Sequence, residues 1–236
     1  MGNARCWLHL HPGTERSISG SDPIKMNRLR ILSCLLYGCL FWAGQASAQA
    51  ARAELEQFSA GLETLHARFE QTVTGTDGMA QDSSSGEVWL RRPNLFRWEY
   101  GGEFPEVVVA DGAHIWIYDE VLEQVTVKDQ STAAVNSPLS LLTDISRLDE
   151  QFEVREAGTL EQWSLLELRP IDSETDFERI LLGLGEGTLH LMVVEDAFGL
   201  RTEITFAEVK KNSAVDAALF RFVPPESADV IGDIQR

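Results

Sequence analysis

With 236 residues and a formal charge of −17, the chain has the size of one domain with a substantial core. An acid excess this large opposes binding to nucleic acid or to an anionic lipid surface. The three cysteines, Cys6, Cys34 and Cys39, all precede residue 40, so disulfides play no part in the rest of the chain.

The chain opens with the pattern of an export signal. From Met26 a short basic stretch (Arg28, Arg30) leads into an apolar run over 31–43, then into Ala46-Ser47-Ala48, a small-x-small cleavage signature before Gln49. The run is shorter than the ~20 residues a spanning helix needs. Residues 1–25 carry no apolar periodicity, which points to Met26 as the true start; a long n-region is the alternative. Gly38-Cys39 admits a lipoprotein-processing reading, but Tyr37 is bulky for that signal and the apolar run continues through Phe41 and Trp42. Residues 1–48 are therefore expected to be a signal region, and 49–236 a single cysteine-free domain. The signal region holds five basic and two acidic residues, so the domain's formal charge is −20.

Leu55, Phe58, Leu62, Leu65 and Phe69 recur at steps of 3 and 4, predicting an amphipathic helix at the start of the domain. From Ala67 onward the period changes to two. About eleven short strands are predicted, the clearest over 87–91, 95–100, 106–110, 114–118, 124–128, 152–156, 163–169, 179–183, 188–195 and 201–209. Asp111-Gly112 and Ala197-Phe198-Gly199 supply tight turns between them. Within 95–100, Phe96, Trp98 and Tyr100 share one face and Arg97 and Glu99 the other.

One segment breaks the pattern: Ser137 and Pro138 suit a helix start, and Leu139, Leu141, Leu142, Ile145 and Leu148 follow at helical spacing. It is either a core helix or a lid over an apolar cavity. The fold expected is mainly β: a curled antiparallel sheet with two helical pieces, its interior either filled or open to a ligand.

Chemical sites are sparse. The domain has no Cys, no G-x-S-x-G, no H-E-x-x-H and no Gly-rich loop between strand and helix. His66, His114 and His190 stand far apart and read as structural. The run 172–176 hints at a calcium loop, but Phe177 takes the place of the required glycine and Gly183 that of the closing glutamate. No catalytic residue, metal site or cofactor is expected.

Residues 86–98, GEVWLRRPNLFRW, resemble the W-x-x-R-P-N-x-F-x-W signature of the LolA family of periplasmic lipoprotein carriers. Residues 67–72 (ARFEQT), 109–118 (VADGAHIWIY) and 214–225 (AVDAALFRFVPP) are similar to further blocks of that family, in family order. The resemblance implies an unclosed barrel of about eleven antiparallel strands, with the first helix and the inserted segment covering an apolar cavity. It implies that Arg92 ties the lid closed through hydrogen bonds and that Phe96 lies on the cavity side, with Trp98, Trp116, Leu62 and Leu65 as further wall residues. Pro138, Leu139, Leu141, Leu142 and Ile145 would form the lid, although Ser140 is a polar intrusion there. Without the motif, Arg92 reads as a solvated edge arginine, and Phe96, Trp98 and Trp116 as ordinary core.

The function implied is that of a monomeric periplasmic chaperone. It would take lipoproteins from a LolCDE-type ABC transporter of the inner membrane, shield their acyl chains, and deliver them to a LolB-type outer-membrane receptor. A lipid- or lipoprotein-binding sensor module of the same fold is the alternative. A lipid-active enzyme has no residue to support it.

Overall fold

Gly61 is where helix gives way to sheet. The computed structural model describes residues 50–133, 141, 145–172 and 175–232. Helix α1 (Ala50–Ser59) buries Ala51, Leu55 and Phe58 and stops before Gly61, which takes φ +62°, a left-handed conformation that costs glycine little. The predicted helix is therefore cut short. Leu65 and Phe69, assigned to its apolar face, instead alternate with polar neighbours on strand β1 (Thr64–Thr74). A spacing of four fits one face of a helix and one face of a strand equally well.

Among the described residues eleven more strands follow: β2 (Ala80–Arg91), β3 (Leu95–Tyr100), β4 (Glu106–Ala110), β5 (His114–Asp119), β6 (Gln124–Asp129), β7 (Phe152–Leu160), β8 (Trp163–Pro170), β9 (Phe177–Gly185), β10 (Thr188–Asp196), β11 (Arg201–Lys211) and β12 (Asp229–Gly232). They form one sheet in the order β12-β6-β5-β4-β3-β2-β1-β11-β10-β9-β8-β7. The sheet is unclosed, with β12 and β7 at its edges. Every pairing is antiparallel except that of β12, which runs parallel to β6. β12 was not expected. Nor was the reach of β2 back through the serine-rich 83–85, where polar residues on both faces hide the strand period.

Between β6 and β7 lie a short helix α2 (Gln130–Ala133), a 3-10 turn (Ile145–Arg147) and helix α3 (Leu148–Gln151). Pro138, Leu139, Ser140 and Leu142 of the expected lid lie outside the described residues. Leu141 and Leu148 are buried in the main core and Ile145 packs against it.

That core fills the space between α1 and the concave face of β1, β2, β3 and β7–β11, where Phe69, Leu90, Trp98, Leu166, Ile180, Leu182, Met192 and Phe206 meet Leu55 and Phe58. The convex side of β3–β6 is covered by the chain after β11. There a 3-10 turn (Ala217–Phe220), begun by the Asp216 carboxylate accepting from the Ala218 N–H, buries Phe220.

Candidate functional site

Cross-strand register builds the concave face in rows. Leu65, Leu90, Phe96, Ala110 and Ile115 are successive partners from β1 to β5, and Ala67, Val88, Trp98, Val108 and Ile117 form the next row. On the other wing, Ile204, Met192, Leu182 and Leu166 stand opposite one another from β11 to β8. The two wings meet at Phe69, whose ring centroid lies 4.4 Å from that of Trp98, and Phe206 closes edge-on at 6.2 Å. Gly86 makes this approach possible: a Cβ there would sit 1.8 Å from the Glu99 carbonyl oxygen and 2.9 Å from the Phe69 ring.

The structure brings Leu62, Leu65 and Trp98 together in the main core. Phe96 is buried on the same face, in a smaller cluster with Ala110 and Ile115. Trp116 does not join them. It shares its row with Val109 and Val127, so it points out of the convex face, where its ring packs on Phe222 at 5.7 Å and its indole N–H donates to Asp111 at 2.8 Å. The expectation of a cavity-wall Trp116 gives way to that of a convex-side anchor. β5 is apolar on both faces, so alternation alone could not say which way the indole turns. Burial pushes the Asp111 carboxyl up, but N–H donors from His114, Trp116 and Ala113 outweigh it and leave the group below its usual range.

Toward the other end of the strands the concave face turns polar. Tyr100, Gln71, Asp82, Ser84 and Glu106 line a cleft of about 740 Å³. The Tyr100 hydroxyl donates to Gln71 at 3.2 Å; burial, reinforced by the Glu106 carboxylate, pushes the phenol up to about 12. Burial also raises Glu106, and the neighbouring Asp119 carboxylate adds to it.

The covering helices are held mainly at their ends. Glu156 of β7, facing the concave side, accepts from the Ala51 and Arg52 backbone N–H groups at 3.0 Å each, satisfying the first turn of α1. At the other end, Lys211 donates to the carbonyls of Phe58 (3.3 Å) and Gly187 (3.2 Å). Arg92 Nη1 donates to the Ser59 carbonyl at 3.5 Å, while its Nε and Nη2 are buried with no hydrogen-bond partner among the described residues. Arg92 thus meets a helix end, and among the described residues that end belongs to α1 and not to the segment expected to form the lid. A recess of about 280 Å³ separates Arg92 from Arg52, Leu55, Ile145, Leu148 and Asp149. Arg52 spans it with a two-bond fork to Asp149 of α3.

Glu156, Lys211 and the Arg52–Asp149 pair escaped sequence reading because each acts on an element about a hundred residues away or more. Two of the three histidines that follow residue 49 stack on tryptophans, His66 on Trp89 at 5.0 Å and His190 on Trp163 at 5.3 Å. Among the described residues there is no group of three or more His, Cys, Asp or Glu that could hold a metal ion.

Residues 60–223 match the family described as outer membrane lipoprotein carrier protein LolA. An outer-membrane lipoprotein carrier protein of Xanthomonas campestris is 40% identical over 210 residues, 88% of this chain and 98% of that one. Its counterpart in Dechloromonas aromatica is 38% identical over 180 residues, 76% and 86% of the two chains. Among solved structures, a LolA superfamily protein from Nitrosomonas europaea aligns over 75% of this chain and 98% of its own, with a TM-score of 0.45 and 12% identity.

Proposed function

The chain belongs to the LolA family of outer-membrane lipoprotein carrier proteins, and from that premise we propose that it is a periplasmic chaperone whose concave apolar face takes up the acyl chains of lipid-modified proteins. The observation that carries this reading is how the face is covered. Apolar side chains of α1 and of the segment before β7 share one core with Leu90, Trp98 and their neighbours, and polar contacts at the helix ends add to that packing.

Such a cover is displaceable by lipid. Burying an acyl chain is worth about 0.8 kcal/mol per methylene, so a chain of about fifteen gains roughly 12 kcal/mol. Uncovering Leu141, Ile145 and Leu148 costs about 1.5–3 kcal/mol each. An acyl chain that would otherwise meet water outweighs the cover, and reclosure of the cover offsets part of the cost of letting it go. No nucleotide is needed at the carrier for either step.

In this reading Leu62, Leu65, Phe96 and Trp98 form the wall. Pro138, Leu139, Leu141, Leu142 and Ile145 belong to the lid. Arg92 holds the closed form, its two guanidinium nitrogens without a partner among the described residues being donors for lid carbonyls. The chain acts as a monomer and not as an enzyme, after removal of residues 1–48. Cargo arrives from a LolCDE-type transporter and leaves to a LolB-type receptor.

The test is titration of the purified protein with an environment-sensitive acyl probe, followed by competition with a triacylated lipopeptide. Saturable binding that the lipopeptide displaces is expected. Absence of saturable binding, or a probe the lipopeptide cannot displace, would remove the carrier reading.

A further inference from the structure

Five loops lie side by side at the end of the sheet away from Arg92. In sheet order they are 120–123, 101–105, 75–79, 197–200 and the loop before β9, of which residues 171, 172, 175 and 176 are described. Neighbours are tied to one another: the Glu120 N–H donates to the Pro105 carbonyl at 3.1 Å, Gly199 lies against the Thr76 side chain, and Phe177 pairs with Asp196. With strands about 4.8 Å apart and two per hairpin, the rim runs roughly 40 Å from the first loop to the last.

These loops carry Met79, Phe104, Val121, Leu122, Ile171 and Phe198, all more than half exposed, and Phe198 at 84%. They are six of the ten large apolar side chains exposed among the described residues; the other four are Leu160, at the end of β7 beside the β7–β8 turn, and Val223, Val230 and Ile231 of the C-terminal segment. Solvent does not favour so many apolar tips along one edge, and a concentration of this kind marks a contact surface. Three of the loops also hold their tips in place with the same device. An aspartate carboxylate accepts the backbone N–H two residues on: Asp77 from Met79, Asp119 from Val121, and Asp196 from Phe198, each at 2.8–2.9 Å. Tips fixed before contact lose little entropy when they dock.

Charge identifies the occupant. The described residues of the five loops include six carboxylate residues and no Lys, Arg or His. The nearest arginines on the adjoining strands, Arg169, Arg179 and Arg201, are already paired with Glu167, Glu195 and Glu203. A lipid leaflet with anionic headgroups would be repelled by this edge, although it could accept the apolar tips.

We propose that this rim is a docking surface for a protein partner whose contact face combines apolar side chains with lysines or arginines. It is separate from the apolar part of the concave face, so the proposal stands whether or not that face binds acyl chains. Carboxylates along the edge steer such a partner in, and the six tips supply the buried contact.

The experiment measures binding of a fluorescein-labelled synthetic peptide of repeating Lys and Leu to the purified protein by anisotropy. A matched Glu and Leu peptide and vesicles of phosphatidylcholine or phosphatidylglycerol serve as the other arms. Met79→Ser/Phe104→Ser/Phe198→Ser should weaken the Lys-Leu peptide roughly tenfold or more, as loss of interface anchors does. Leu160→Ser/Val223→Ser/Ile231→Ser, removing as many apolar side chains elsewhere, should leave binding within a factor of about two. Glu103→Gln/Glu120→Gln/Glu123→Gln should also weaken it and flatten its salt dependence. All substituted positions are exposed, so melting temperatures should match the wild type.

Equal losses in the first two triple variants would overturn the proposal, as would equal binding of the Glu-Leu peptide or stronger retention on either vesicle. A lipopeptide occupying the concave face should leave peptide binding intact. Displacement of the peptide by that lipopeptide would place it in the carrier site and also overturn the proposal.

Discussion

Arg52 and Asp149 form a fork across the gap between α1 and α3, with Nη1 donating to Oδ1 at 2.7 Å and Nη2 to Oδ2 at 2.5 Å. The pair joins the N-terminal helix to the helical segment just before β7, so it fastens two parts of the cover to each other. The Arg52 hydrogen bond, opposed only by slight burial, holds the Asp149 carboxyl below its usual range.

Asp149→Asn should therefore loosen the cover more than the fold. Both side chains are well exposed, which limits the stabilisation to about 1 kcal/mol or less. A group whose folded pKa is depressed contributes above its unfolded value and loses that contribution as pH falls through the folded one. The difference in melting temperature between wild type and variant should thus be small at neutral pH and vanish below the normal carboxylate range. Stopped-flow uptake of an acyl probe should be faster in the variant and, in the wild type, faster at high salt. Identical uptake rates would separate the fork from cargo entry.

Arg92→Leu keeps most of the apolar stem and removes the donors beside Ser59 and the recess. Each hydrogen bond to a charged group that excludes water contributes about 1.5–3 kcal/mol to the closed form. The variant should accept lipoprotein from inner-membrane vesicles but retain it when the outer-membrane receptor is added. Lysine should restore release only in part, having a point charge and no fork. Normal loading with wild-type release would make Arg92 a structural residue.

Glu156→Ala removes the acceptor for two N–H groups at the start of α1. Loss of such a cap costs about 1 kcal/mol. Hydrogen exchange should speed up at Ala51 and Arg52 while β9 and β10 keep their protection. Unchanged exchange at those two amides would show that the helix start is held by something else.

Glu106→Gln should stabilise the protein at neutral pH. Burial first, and then Asp119, raise the carboxyl, so ionising it costs stability once pH exceeds the unfolded value, and fully so above the folded one. The gain in melting temperature should shrink as pH drops and disappear below the normal carboxylate range. A gain of equal size at every pH would point to packing in place of charge.

Much of this architecture was legible locally. Period-two alternation predicted ten of the twelve described strands, nine of them to within four residues at each end and β2 without its first seven residues, and the block around Arg92-Pro93-Asn94 pointed to the family. In β3 the alternation of Phe96 and Trp98 with Arg97 needs no tertiary information, because only one face is apolar at those positions. Where a pattern satisfied two geometries, the sequence could not decide. Leu65 and Phe69 fitted both a helix stripe and a strand face until Gly61 broke the helix. Trp116 lies between Ile115 and Ile117, so either face of β5 would bury something apolar. Its direction was decided by Phe222, which comes from a distant segment to cover the convex side. Arg52, Glu156 and Lys211 are likewise ordinary charges in the sequence. Only the curled sheet, which carries β7 and β11 to opposite ends of α1, turns them into the fastenings of that helix.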